Sequence, residues 1–179
     1  HLATQEARLT AVATVLKAPA AEVEDRVKAL MDERKSLANE VAQLRRELAM
    51  AGSAGEERER LQDVLARMYR WAGEQSPIRA DRAGDFLDDG VYGRMDCIDH
   101  AHTTQRMLEL LDHLGMLRFH RLTGIERRRS WLILQHFSAT MEELEGGHRW
   151  AVDTWFRDHA EPAVVMDFNE WKDGGYPDE

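Results

Sequence analysis

Apolar residues recur along this chain in two rhythms. Leu2, Leu9, Val12 and Leu16 mark one helix face. Pro19 breaks it, because proline lacks an N–H and disfavours helix at Ala18 before it. A second helix is expected from Ala21. Its apolar positions are Val23, Val27, Leu30, Leu37, Val41, Leu44 and Leu48, spaced 4, 3, 7, 4, 3 and 4 residues apart. That is a heptad seam with Arg34 in the skipped position. It predicts a coiled-coil hairpin or a dimerisation arm, and a homodimer through residues 21–49 is the expected association.

Beyond Ala51-Gly52-Ser53-Ala54-Gly55, read as a flexible joint, helical spacing resumes at Leu61, Val64, Leu65, Met68, Tyr69 and Ala72. Residues 79–95, rich in Asp and Gly, read as a long surface loop. Ala101, Thr104, Met107, Leu108, Leu111 and Leu114 predict a helix from Cys97, stopped at Gly115. The period then shortens to two. Strands are expected at Leu117–Leu122, Trp131–Met141 and Arg149–Phe156, with a short edge strand at Pro162–Met166. A hairpin turn is expected at Leu144–His148. The reading is α+β: a helical arm (1–52), a linker (53–55) and a helix-plus-antiparallel-sheet domain (56–179).

Composition supports two modules. All 13 aromatic residues lie at or after Tyr69. Residues 1–55 carry 8 basic and 8 acidic side chains, and residues 56–179 carry 16 and 25, so the second module holds the whole net charge of -9. That balance argues against a broad nucleic-acid surface. No apolar run approaches a membrane span. No signal peptide is visible at His1–Thr10, and the absence of an initial Met leaves room for a trimmed leader; the expected location is the cytoplasm. The single cysteine, Cys97, excludes an intramolecular disulfide and an all-cysteine zinc site.

Cys97 is the candidate nucleophile. It stands at an expected helix N-terminus, where free N–H groups and the helix dipole favour the thiolate and help form an oxyanion hole. His136 on the second expected strand is the candidate base, and Asp153 on the third is its orienting carboxylate. His148, in the expected turn, is a rival base. Asp96 is placed to cap the cysteine helix. The bland alternative for Cys97 is a small buried hydrophobe. A metal site among Asp96, Cys97, Asp99, His100 and His102 is a further alternative, although one Cys–His pair leaves a four-ligand shell incomplete; no metal and no cofactor are expected. Arg127-Arg128-Arg129 reads as a solvated loop. Trp150, Trp155 and Trp171 read as core.

Two resemblances rest on these residues. The run HLATQEARLTAVATVLKAPAAEVEDRVKALMDERKSLANEVAQLRRELAMAG resembles the helical segment late in bacterial alanyl-tRNA synthetases, which implies a helical arm that supports dimerisation. In the second module, Cys97 heading a helix that ends in LLDHLG, the strand from Gln135-His136-Phe137, and Arg149-Trp150-Ala151-Val152-Asp153-Thr154 resemble the transglutaminase core, a papain-like arrangement. The stretch YGRMDCIDHAHTT…AVDTWFRDHAEPAVV is also similar to a group of uncharacterised bacterial proteins. The resemblance implies a Cys97-His136-Asp153 triad acting on a peptide or amide substrate by hydrolysis or acyl transfer. The alternatives are a non-catalytic binding or oligomerisation module, or a piece of an alanyl-tRNA synthetase joined to an unrelated domain.

Overall fold

The computed structural model describes residues 8, 10–12, 14, 19–84, 90–130 and 134–177. Two compact units divide at Arg45 and Arg46. Helix α1 (Ala20–Ala49) begins directly after Pro19. In the first unit, the middle of the heptad seam stands open to solvent. Val27 is 40% exposed, Leu30 60%, Leu37 45% and Val41 37%. Of the four positions that marked the first expected helix, only Val12 lies among the described residues, and it is helical.

The second unit starts in the last turn of α1, where Leu48 is fully buried. The small-residue stretch that follows is not the flexible joint expected of it. Ser53 Oγ accepts the Glu56 N–H at 3.2 Å, and Glu56 Oε2 accepts the Gly52 N–H at 2.8 Å. This reciprocal cap opens helix α2 (Ala54–Gln75), which buries Leu61, Val64, Leu65 and Met68. A short 3-10 turn, Pro77–Ala80, leads into the expected loop. Asp81 in that loop is fully buried rather than solvated. Helix α3 spans Cys97–His113, and Gly115 (φ +65°) follows it.

Four antiparallel strands form a meander in the order β1-β2-β3-β4: β1 (His120–Ser130), β2 (Leu134–Glu143), β3 (Arg149–Asp153) and β4 (Val164–Asp167). The α+β class stands. The first strand begins and ends later than its alternating pattern predicted. A bulge between Leu122 and Gly124, with Gly124 at φ +103°, carries the chain past the expected end. Arg127, Arg128 and Arg129 therefore lie in β1 and not in a loop. The expected residues 131–133 of the second strand lie outside the described ones. β3 stops at Asp153, and Trp155 and Phe156 turn into the core.

Helix α4 (Phe168–Lys172) packs against β3, β4 and β1. Ala151, Trp155, Phe156, Val164, Met166 and Trp171 form one buried cluster, with Cys97 packed against it. Each large side chain buried this way contributes roughly 1.5–3 kcal/mol. Helix α2 is pinned to the start of β1 by Glu57. Its carboxylate accepts from the Arg118 N–H at 2.7 Å, the Phe119 N–H at 3.1 Å and His120 Nδ1 at 2.8 Å. Burial pushes the Glu57 carboxyl up, but these hydrogen bonds outweigh it and hold it below the usual carboxylate range. Among the described residues, no helix is long and apolar enough to cross a membrane.

Candidate active site

Cys97 is the first residue of α3. Its thiol donates to the Gln135 carbonyl at 3.8 Å, and the Phe137 N–H on the other side of His136 favours its anion. Those two residues flank His136. Register explains why the sulfur can reach them. Pairing of β2 with β3 runs from Ala139–Val152 toward the hairpin, so β3 does not pair with the Gln135–Phe137 backbone. The head of α3 takes that edge.

His136 and Asp153 meet directly. His136 Nε2 lies 2.6 Å from Asp153 Oδ2, and both side chains are buried. Asp153 accepts two more hydrogen bonds, from Trp171 Nε1 at 3.0 Å and from the Trp155 N–H at 3.1 Å. The rings of Trp155, Phe156 and Trp171 surround the imidazole at centroid distances of 4.7, 5.3 and 6.0 Å. A carboxylate only accepts, so the neutral imidazole carries its proton on Nε2 and a lone pair on Nδ1. Nδ1 is buried and makes no hydrogen bond. The structure thus joins His136 to Asp153 and sets Cys97 against the backbone on both sides of His136. No hydrogen bond links the sulfur to the imidazole.

The cap on α3 changes the electrostatics expected at its N-terminus. Asp96 Oδ1 accepts the Ile98 N–H at 2.8 Å and the Asp99 N–H at 2.9 Å. Those are the groups expected to favour a thiolate and to form an oxyanion hole, and Asp96 occupies them. Burial pushes the Cys97 thiol up, the Phe137 N–H opposes that, and the Asp96 and Asp153 charges add to it. The resting cysteine is therefore a thiol, with its pKa raised where the sequence predicted a lowered one.

Two contributors escaped the sequence reading. Trp171, read as core, also hydrogen bonds Asp153. Arg128, read as solvated, is 3% exposed and sits opposite His136 in the β1–β2 register. Its Nη1 donates to the Trp171 and Gly175 carbonyls, each at 2.7 Å. A cation on the Trp171 carbonyl in the last turn of α4, and on the Gly175 carbonyl just beyond it, holds that helix, and with it the Trp171 indole, in place. Burial lowers the Arg128 guanidinium pKa, and Asp153 opposes that.

His148, the rival base, pairs with Asp167 at 2.8 Å and lies tilted against the Trp150 ring at 4.8 Å; it reaches neither Asp153 nor Cys97 by hydrogen bond. Asp99 and His102 are exposed, whereas His100 is buried. Among the described residues, no group of three or more His, Cys, Asp or Glu side chains is arranged to hold a metal ion.

A stretch of 56 residues is 66% identical to an alanine–tRNA ligase of Ruegeria pomeroyi, covering 31% of this chain and 6% of that protein. Over 52 residues (29% of this chain), a Dinoroseobacter shibae alanine–tRNA ligase is 65% identical; over 57 residues (32%), a Cereibacter sphaeroides one is 61% identical. The chain spans about 6% of the length of each of these relatives. No family model and no solved structure matches the chain.

Proposed function

We propose that the second unit is a thiol-dependent hydrolase or acyltransferase of transglutaminase-like type. The observation that carries this reading is the buried His136–Asp153 pair at 2.6 Å with an unpaired Nδ1, while the Cys97 sulfur lies on the backbone flanking that histidine. Catalytic hydrogen bonds are commonly long in a ligand-free site and close on substrate.

The chemistry follows from the resting thiol. As Sγ attacks an amide or ester carbonyl carbon, its proton passes to His136 Nδ1 and the carbonyl electron pair moves to oxygen. Collapse of that intermediate breaks the bond to the leaving group, which takes the proton from Nδ1. A thioester remains. Water or an amine then attacks it, with Nδ1 again receiving a proton and returning it to sulfur. Asp153 holds the tautomer and balances the imidazolium.

A p-nitrophenyl acetate burst tests this. The account expects a burst of one nitrophenolate per chain, no burst with Cys97→Ser, and acylation slower by about 10²–10⁴-fold with His136→Gln. A burst that survives Cys97→Ser contradicts it.

A second reading applies to the arm and is supported by the ligase identity. We infer that residues 1–52 derive from the helical segment of an alanyl-tRNA synthetase and act as an association arm, not an aminoacylating unit. The open positions Val27, Leu30, Leu37 and Val41 support a homodimer through residues 21–49. Sedimentation of the chain and of Leu30→Asp/Leu37→Asp tests it; the double variant is expected to be monomeric where the parent is dimeric.

A further inference from the structure

A second buried histidine–aspartate pair lies one helical turn from Cys97. His100 Nε2 sits 2.9 Å from Asp81 Oδ2, off the ideal hydrogen-bond direction. A nitrogen lone pair facing a carboxylate oxygen at that distance would be repelled, so Nε2 carries the proton. His100 Nδ1 is then an acceptor, and the Thr154 hydroxyl donates to it at 2.9 Å. The two lone pairs of Thr154 meet Tyr69 at 3.1 Å and Thr104 at 2.9 Å. Tyr69 and Thr104 are themselves 3.0 Å apart. The other Asp81 oxygen accepts the Met95 N–H at 2.9 Å. Asp81, His100, Thr104, Tyr69 and Thr154 are all buried.

The contacts run as one chain: Tyr69 and Thr104 meet Thr154, Thr154 meets His100, and His100 lies beside Asp81, while the Tyr69 hydroxyl also donates to the His100 carbonyl at 3.4 Å. It also has a geometry. Asp81 grips the backbone two residues before Cys97, His100 and Thr104 ride on the cysteine helix, and Thr154 directly follows Asp153. Burial pushes the Tyr69 hydroxyl up to about 12, so it remains a donor across the working range. With its hydroxyl contacts filled, Thr154 has no free nucleophilic role.

We propose that Asp81, His100 and Thr154, with Tyr69 and Thr104, form a positioning device that fixes the Cys97 helix against the Asp153 end of β3. This rests on the thiol reading above for its catalytic consequence, while the placement of Asp153 can be read without catalysis. Thr154→Val removes the hydroxyl and keeps the shape. A misplacement of about 1 Å costs on the order of 10²-fold in rate.

The experiment follows two signals in wild type, Thr154→Val, Thr154→Ser and Tyr69→Phe. One is the p-nitrophenyl acetate acylation rate. The other is the downfield N–H resonance of the His136–Asp153 hydrogen bond, assigned by its loss in His136→Gln. The expected result is acylation slower by roughly 10–100-fold in Thr154→Val, a moved or broadened resonance, and recovery of both in Thr154→Ser. If Thr154→Val fails to fold, Tyr69→Phe reports the same two signals, with a smaller change in the same direction. An unmoved resonance in a folded variant overturns the proposal. Lack of a burst in wild type sinks the thiol reading alone, and the resonance still decides the positioning claim.

Discussion

Among its described residues the second unit holds two buried histidine–aspartate pairs, and they differ in what the far side of each imidazole meets. In His136–Asp153 the second nitrogen has no partner. In His100–Asp81 the second nitrogen is taken by a threonine that is itself held by two more hydroxyls. The first pair keeps a lone pair for a proton; the second has given its lone pair to the fold. On the proposed thiol mechanism, what sets His136 apart from His100 is therefore not burial or pairing but the unfilled nitrogen, together with a thiol placed against the same stretch of chain.

The comparison breaks most visibly through chemistry. His136→Gln should slow Cys97 acylation by about 10²–10⁴-fold, whereas His100→Gln, acting only through position, should slow it by no more than roughly 10–100-fold while lowering stability. Equal losses of acylation in two equally folded variants would erase the distinction. Next in size is stability. Asp81→Ala leaves the neutral His100 ring and the Met95 N–H without the buried carboxylate they face and should cost about 1–3 kcal/mol in a urea titration. A cost below 1 kcal/mol would show that the network carries no load.

Glu57 supplies an acid-side test that involves neither pair. Its carboxyl lies below the usual range in the folded chain, so its contribution is full above the unfolded value of about 4.3. It is lost as pH falls through the lower folded value. Glu57→Gln should flatten that part of the stability–pH curve, and an unchanged slope would contradict the assignment. The smallest effect is expected from Tyr69→Phe, about 1 kcal/mol for one hydrogen bond.

Local signals carried much of the second unit into view. Asp96 as a cap, the period of α3, the alternation of the strands and the hairpin between β2 and β3 are all short-range patterns. Placing His136 and Asp153 on neighbouring strands followed from that hairpin. The rest depended on long-range contacts that no spacing encodes. Tyr69 meets Thr154 across 85 residues, and Trp171 reaches back 18 to Asp153. Arg128 looked solvated because its neighbours Arg127 and Arg129 are indeed exposed, and only the sheet register turns it inward. The raised Cys97 thiol was missed for a related reason: Asp96 was seen as a cap, but its capture of the N–H groups expected to serve the sulfur was not counted.

The arm teaches the opposite lesson. Among its described residues it carries a readable heptad, open to solvent at Val27, Leu30, Leu37 and Val41, but no buried polar site like those of the second unit.

The central claim is that Cys97 and His136 Nδ1 act as a pair, and 1,3-dibromoacetone measures it. The reagent loses one bromide to a thiolate and the second to a nucleophile within reach of a three-carbon bridge. Peptide mapping by mass spectrometry should find Cys97 and His136 joined through a propanone bridge, and no bridge in Cys97→Ser. Cys97 alkylated singly with His136 unmodified, or bridged to another residue, would contradict the account.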